Sequence, residues 1–436
     1  MNVKEMYKSK LKSAEEAAKL INSHDKVVVP LSHGIPQALM QALAKRNDIE
    51  NVTVSGGLDI HMLDIYNCEA MKGKINIDSL YVGPVLRNSL ATGGVTYSAI
   101  RLFQGPKICR THRPYEIAAL TVSPMDKHGW FSMGTDPDYI HSVARAPSIH
   151  TRILEVNHCM PRVLGDTMIH ISEVDAVVEN DTPLLELPPL PASDEDVTIA
   201  GFIADMVEDG SCLQLGIGGL PSILAGYLEH KKDLGVHSEM LCDTFVDLYN
   251  KGAISGKNKS FRPGRWVGTF ALGSRKLYDF IDDNPLVEMM PCDVVNDPCV
   301  IGMNDKVVAV NQAIEIDLTG QCCSESIGPR HYSGTGGQLD FVEGAWRSNG
   351  GKAFIAIYST YTDKENKTHS RITPTLTPGA TVTTPRGDMQ YVVTEYGIAD
   401  IKGQSLRERA KRLIAIAHPD FRDELRFQAR KLNLIS

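Results

Sequence analysis

Two stretches far apart in this chain carry the same plan, and that repetition limits the folds open to it more than any other feature. VVPLSHGIPQALMQAL, from Val28, falls on LQLGIGGLPSILAGYL, from Leu213, at an offset of 185 residues, with Pro36 on Pro221, Leu39 on Leu224 and Leu43 on Leu228. Each reads as a strand, a glycine turn and a proline-led helix, since proline at the first helical position loses no intrahelical bond. Any strand–helix unit has this form, but three matched anchors and similar preceding helices favour a duplicated domain over coincidence. Elsewhere, β-branched apolar runs alternate with helical patterns. Lys26–Leu31, Asn51–Ser55, Ala118–Val122, Ala176–Glu179 and Cys212–Leu215 all read as strands. That alternation calls for an α/β protein whose strands are mostly parallel and covered on both faces. The expected fold is two open, mostly parallel-sheet α/β domains of related topology.

LPPLPAS, from Leu187 to Ser193, holds three prolines in seven residues. Proline fixes φ and removes ladder donors, so the linker is placed there. The expected domains are residues 1–190 and 191–436. Ser193 is a candidate N-cap, followed by an acidic first turn and by Val197, Phe202, Ile203 and Met206 at helical spacing.

Composition closes off several functions. The 436 residues carry 45 Lys+Arg against 53 Asp+Glu, a net charge of −8 with no basic stripe, so neither a nucleic acid nor a membrane surface is an expected partner. No apolar run approaches the ~18 residues of a membrane span. MNVKEMYKSKLKSAEEAAKL is charged and helical, without an apolar core or small-residue cleavage site, so no secretory leader and a cytoplasmic location are expected. The nine cysteines are scattered singly except for Cys322 and Cys323, and no C-x-x-C occurs, which reads as reduced thiols. Cys109 and His112 form one C-x-x-H without a second pair, and His61 stands alone beside Met62, so no metal site is expected. A serine-nucleophile elbow, G-x-S-x-G, is absent.

The chemistry concentrates between Leu213 and Met240. A glycine turn between strand and helix exposes backbone N–H groups at the positive end of the helix dipole, a natural seat for phosphate, carboxylate or an oxyanion. Gly216, Gly218 and Gly219 would let a ligand approach the main chain. Glu239 lies about twenty residues on, where a dinucleotide fold places its ribose-binding acid. Against that reading, Pro221 replaces the third glycine of the fingerprint, and the strand before Glu239, Gly235–Ser238, is short and polar. A partly exposed Glu239 beside a donor-rich turn could instead attack an activated acyl group. A second glycine cluster, Ser333–Phe341, contains Gly334, Gly336 and Gly337 and reads equally as a turn or a ligand loop. Further on, Arg407, Arg409, Lys411 and Arg412 stand opposite Leu406, Ala410, Leu413 and Ile414, as on a helix with a solvated charged face.

GIGGLP, GVHSEM followed by FVDLYNKGAISG, SGTGGQLDFV, VVTEYGIADIKGQSL, AHPDFRDEL and, in the first half, VSPMDKHGWFSMG together resemble the acetyl-CoA hydrolase/transferase branch of the class I CoA-transferases, especially its 4-hydroxybutyrate and butyryl-CoA:acetate members. The resemblance implies two similar α/β domains with the active site between them. It implies that Glu239 is the nucleophile, passing through a mixed anhydride to a glutamyl-CoA thioester. It carries coenzyme A contacts to Gly216, Ile217, Gly218, Gly219, Leu220, Ile314, Gly337 and Lys364, the last from a loop containing two lysines. Backbone N–H groups of the first loop become the candidate oxyanion site, with Gln214 as a side-chain helper, and Ser32–Pro36 (SHGIP) becomes a candidate lining of the acyl pocket.

Coenzyme A would be a substrate, with no tightly bound cofactor. The expected partners are an acyl-CoA, a small carboxylate and further copies of the chain. Hydrolysis of the same thioester is the neighbouring activity. A nicotinamide dehydrogenase and an inactive CoA-binding regulator are the readings from other classes.

Overall fold

β1 (Lys26–Leu31) is buried at every position after Lys26 because it has a neighbour on each side and cover on both faces. It belongs to a sheet with β2 (Val52–Gly57), β3 (Ile75–Tyr81), β4 (Val95–Tyr97), β5 (Ile117–Val122), β6 (Thr151–Val156) and β7 (Ala176–Glu179), in the order β4-β3-β2-β1-β5-β6-β7. All pairings are parallel. The second expected strand is extended, since Gly56 and Gly57 continue the ladder to β3. α1 (Gln37–Ala44) buries Leu39, Met40 and Leu43, with Pro36 as its N-cap instead of its first residue. The core gathers Val27, Val29, Leu39, Leu43, Val54, Ile77 and Ile117.

The second sheet contains β8 (Cys212–Gln214), β9 (Gly235–Val236), β10 (Val307–Gln312), β11 (Lys352–Ala356), β12 (Tyr391–Thr394) and β13 (Gly397–Asp400), in the order β9-β8-β10-β11-β12-β13. It is parallel except for the terminal β12–β13 hairpin. Both sheets are open, and in each the strand order reverses at the first strand of the repeat, β1 in one and β8 in the other.

The computed structural model describes residues 2–187 and 191–436, so residues 188–190 of the proline-rich segment lie outside the described residues. One compact unit comprises Met1–Leu187, Glu239–Leu241 and Arg265–Val295, and the other Pro188–Ser238, Cys242–Gly264 and Asn296–Ser436. The expected division put everything after residue 190 in the second domain. The chain instead returns twice to the first unit, because Met240–Leu241 and Phe270–Ala271 pair in parallel there, and Ala271 N–H donates to Thr135 O at 2.8 Å.

Ser193 caps α2 (Asp194–Asp205) and forms a capping box with Asp196. Its buried face is Asp196, Ile199, Ala200, Ile203 and Ala204, while Val197, expected among the apolar positions, is exposed. α3 (Gly219–Leu228) begins two residues before Pro221. Among the described residues no helix is long and apolar enough to cross a membrane.

Candidate active site

In open parallel sheets, ligands gather beyond the carboxyl ends of the strands where the order reverses. In the second unit that point follows β8 and is occupied by the glycine loop. Gly218 caps α3 with φ +125° and ψ −174°, a conformation that side chains rarely adopt, and has no side-chain cap. The N–H groups of Gly219 and Leu220 stand in the first turn without intrahelical acceptors, and Pro221 has no N–H to leave unpaired. A methyl group added at Gly216 or Gly218 would meet nothing within 4 Å, whereas one at Gly219 would sit 2.6 Å from Asp196 Oδ2. The loop is therefore open along one side and closed against a buried carboxylate on the other. Ile217 is exposed and Leu220 buried. Gln214 is also buried, and its Oε1 accepts from Asn311 Nδ2 at 3.2 Å.

Leu220 and Ile314 share a cavity of about 320 Å³, which Ile199, Tyr332, Tyr358 and Arg371 also line. Gly337 caps α4 (Gln338–Arg347), so the second glycine cluster is a helix-start turn in which Gly336 has φ +54°. Lys364 is exposed in the turn between Thr360–Thr362 and Thr368–Ser370, where Asp363 Oδ1 accepts from the N–H groups of Glu365 and Lys367 at 2.9 and 3.0 Å. Lys364 does not line the cavity.

After Val236 the chain stays fastened to the glycine loop. His237 N–H donates to Leu213 O at 3.1 Å, and Ser238 Oγ to Leu215 O at 3.2 Å. Cys242, four residues after Ser238, donates from Sγ to Gly216 O at 3.6 Å. Glu239 itself belongs to the first unit, with a half-buried side chain. Its carbonyl accepts from Thr269 N–H at 3.0 Å and Phe270 N–H at 3.2 Å. Thr269 O accepts from Asp138 N–H at 3.2 Å, and Asp138 Oδ2 accepts from Leu31 N–H at 2.8 Å. These hydrogen bonds tie the Glu239 main chain to the carboxyl end of β1, the reversal point of the first sheet. A ribose-binding acid would end the strand beside the glycine loop; here that strand, β9, stops at Val236.

The SHGIP loop starts at that same carboxyl end. Ser32–Gly34 form a buried 3-10 turn. His33 Nε2 lies 3.2 Å from Leu185 O, which can only accept, so Nε2 carries the proton. Burial, reinforced by His61, pulls His33 down to about 4. Asp136 and Asp138, which sequence reasoning passed over, are fully enclosed beside this turn. Burial pushes Asp138 up to about 7, and burial together with the Asp138 charge pushes Asp136 well above the carboxylate range. The available signal was a D-P-D triplet one residue after the turn-rich VSPMDKHGWFSMG. Among the described residues no group of three or more His, Cys, Asp or Glu is placed to hold a metal ion, and none of the nine cysteines forms a disulfide.

Two open, mostly parallel α/β units, in each of which the strand order reverses at the first strand of the repeat, are the architecture of the CoA-transferase fold class. Residues 1–186 match the acetyl-CoA hydrolase/transferase N-terminal domain and residues 273–429 the C-terminal domain, and the chain belongs to this family. It is 44% identical over 98% of its length to succinyl-CoA:cyclohexane-1-carboxylate CoA transferase of Geobacter metallireducens, covering 97% of that protein. It is 44% identical over 99% of its length to 4-hydroxybutyrate coenzyme A transferase of Clostridium kluyveri, covering 100% of it. Among solved structures, RipA from Yersinia pestis superposes with a TM-score of 0.91 at 40% identity over 100% of both chains. A 4-hydroxybutyrate CoA-transferase from Porphyromonas gingivalis gives 0.80 at 35% identity, over 98% of this chain and 99% of that one.

Proposed function

We propose that this enzyme, a CoA-transferase, moves coenzyme A between a short-chain acyl-CoA and a small carboxylate of the 4-hydroxybutyrate or butyrate type, with Glu239 as the nucleophile. The observation that carries this reading is a half-buried carboxylate on a main chain held by Thr269 and Phe270. A glutamate so placed is fixed by its backbone, which holds its carboxylate in position for attack on an activated acyl group.

A Glu239 oxygen attacks the thioester carbonyl, the carbon–sulfur bond breaks, and a mixed anhydride and CoA thiolate result. The thiolate then attacks the glutamyl carbonyl, forming glutamyl-CoA thioester and releasing the first carboxylate. A second carboxylate enters and the two steps run in reverse, restoring Glu239. One thioester replaces another, so little net driving force is needed and the kinetics are ping-pong. Main-chain N–H groups of the Gly216–Leu220 loop, with Gln214, stabilise the oxyanions. Coenzyme A is held by Gly216, Ile217, Gly218, Gly219, Leu220, Ile314, Gly337 and Lys364, and the SHGIP loop lines the acyl pocket. The free thiols fit a reducing, cytoplasmic setting, and the working form is a homo-oligomer.

Incubation with acetyl-CoA followed by intact-mass measurement should show a CoA adduct on the wild type and none on Glu239→Ala. Acyl exchange with no adduct, or undiminished exchange in Glu239→Ala, overturns the route. Adding acetate, butyrate or 4-hydroxybutyrate separates transfer from hydrolysis. Free CoA accumulating equally with and without an acceptor would identify a hydrolase.

A further inference from the structure

Arg371 is a half-buried cation of the second unit that lines a cavity and is held by carbonyls alone. Its guanidinium is held in one plane by Nη1, which donates to Ile314 O at 2.9 Å, and by Nε, which donates to Thr360 O at 3.3 Å. Its carbon stands 5.0 Å over the Tyr361 ring. Both acceptors are neutral carbonyls, and Arg371 pairs with no carboxylate among the described residues. Among the described residues Tyr361 and Tyr358 are the side chains that favour its charged form, and desolvation pulls its pKa below the ordinary value. A half-buried cation without a counter-ion is costly unless an anion completes it.

The cavity that Arg371 lines is large enough to admit one, at about 320 Å³. Leu220, in the first turn of α3, forms part of the wall, so the N-terminal turn of a helix borders the same region. Asp196 lies behind another wall residue and does not supply the missing charge. Its Oδ1 accepts from Tyr358 Oη at 2.8 Å, and its Oδ2 accepts from Ser193 N–H at 3.1 Å. The lysine indicated by resemblance, Lys364, is exposed in a hairpin turn. The cation that reaches the cavity comes seven residues later.

We propose that Arg371 binds a phosphate group of coenzyme A in this cavity, either the diphosphate or the 3′-phosphate, its unused N–H donors forming a planar fork on the anion. The assignment rests on the reading of the protein as a CoA-transferase, but it requires only CoA binding and not the glutamyl thioester. Arg371 is thereby a positioning residue, recognising the nucleotide end of a substrate whose reacting atom lies at the other end.

Isothermal titration of the full-length protein with CoA and with dephospho-CoA, for wild type, Arg371→Lys and Arg371→Gln, tests the proposal. The CoA dissociation constant should rise about 10- to 100-fold in Arg371→Gln, and less in Arg371→Lys. Loss for CoA alone assigns the 3′-phosphate; equal loss for dephospho-CoA assigns the diphosphate. The kcat/KM for acetyl-pantetheine, which has neither group, should stay within about twofold of wild type. An unchanged CoA dissociation constant in Arg371→Gln overturns the proposal. An equal loss with acetyl-pantetheine, even in Arg371→Lys, also overturns it by showing a structural role. Absence of CoA binding by the wild type removes both this proposal and the transferase reading. A weakened Arg371→Gln in a protein whose Glu239→Ala still transfers CoA rejects only the glutamyl route.

Discussion

Asn311 Nδ2 donates to Gln214 Oε1 at 3.2 Å, across two neighbouring parallel strands of the second unit's sheet. An amide whose oxygen is engaged keeps its nitrogen as the remaining donor, so Asn311 fixes the orientation of the Gln214 amide. A donor held this way acts without reorganising when charge develops on a nearby oxygen.

On the oxyanion role proposed for Gln214, Gln214→Ala should lower kcat by about 10²-fold, the usual cost of one oxyanion donor, with little change in the CoA dissociation constant. Asn311→Ala should lower kcat in the same direction by about 10-fold, because Gln214 remains but is no longer oriented. Steady-state kinetics with acetyl-CoA and butyrate, beside CoA titration, separates the two effects.

The glycine loop yields a contrast between two similar substitutions. Gly218→Ala meets no steric obstacle, yet φ +125° is strained for any L-residue, so stability should fall by about 1–3 kcal/mol in denaturant unfolding. Gly216→Ala is equally unobstructed and lacks a positive φ, so stability should stay within about 0.5 kcal/mol. Its added methyl should instead raise KM for acyl-CoA, if substrate lies against the main chain there.

Asp138 should make stability depend on pH with a defined sign. Its folded pKa is near 7, against an ordinary carboxyl value near 4, so between these values the folded form keeps a proton that the unfolded chain has lost. Its contribution is full below about pH 4 and is lost as pH rises to about 7. His33, pulled down to about 4, acts oppositely, contributing above its unfolded value of about 6.5 and losing that contribution as pH falls. The comparison of variants isolates the carboxyl. Asp138→Asn should melt below wild type at pH 5, because Leu31 and Ile140 N–H groups each lie 2.8 Å from a different carboxyl oxygen. The deficit should shrink by pH 8; a melting series that shows it constant would contradict the assignment.

Arg409→Ala should destabilise the protein by about 3 kcal/mol. The guanidinium is buried and donates to the carbonyls of Gln404, Thr319 and Arg386 at 3.1, 3.2 and 2.5 Å, all of which its removal would strand. Arg407→Ala, at an exposed position of the same helix (Leu406–Ile416), should change stability by less than about 0.5 kcal/mol. Urea unfolding of the pair reads the difference directly.

Arg409 also marks where local reading fails. The helical pattern around it was legible, but the charged face was expected in solvent. One guanidinium turns inward because carbonyls of distant segments need donors, while Leu406, expected on the apolar face, is exposed. Arg371 was invisible for a related reason: its chemistry follows from the absence of a nearby acid, which no spacing reveals. Asp136 and Asp138 stood in plain view as residue types, but only their complete enclosure gives them unusual pKa values.

Sequence alone determined β1, β2, β5, β7 and β8, the glycine turn after β8, the cap at Ser193 and the repetition of one plan in two halves. Periodicity, turn chemistry and capping act within a few residues, so the chain itself carries them. Tertiary structure decided that Glu239–Leu241 and Arg265–Val295 join the first unit, and that the Glu239 main chain is tied through Thr269 and Asp138 to the end of β1. Those choices depend on polar groups about thirty to over a hundred residues apart finding hydrogen-bond partners, and no local window contains both ends of such a bond.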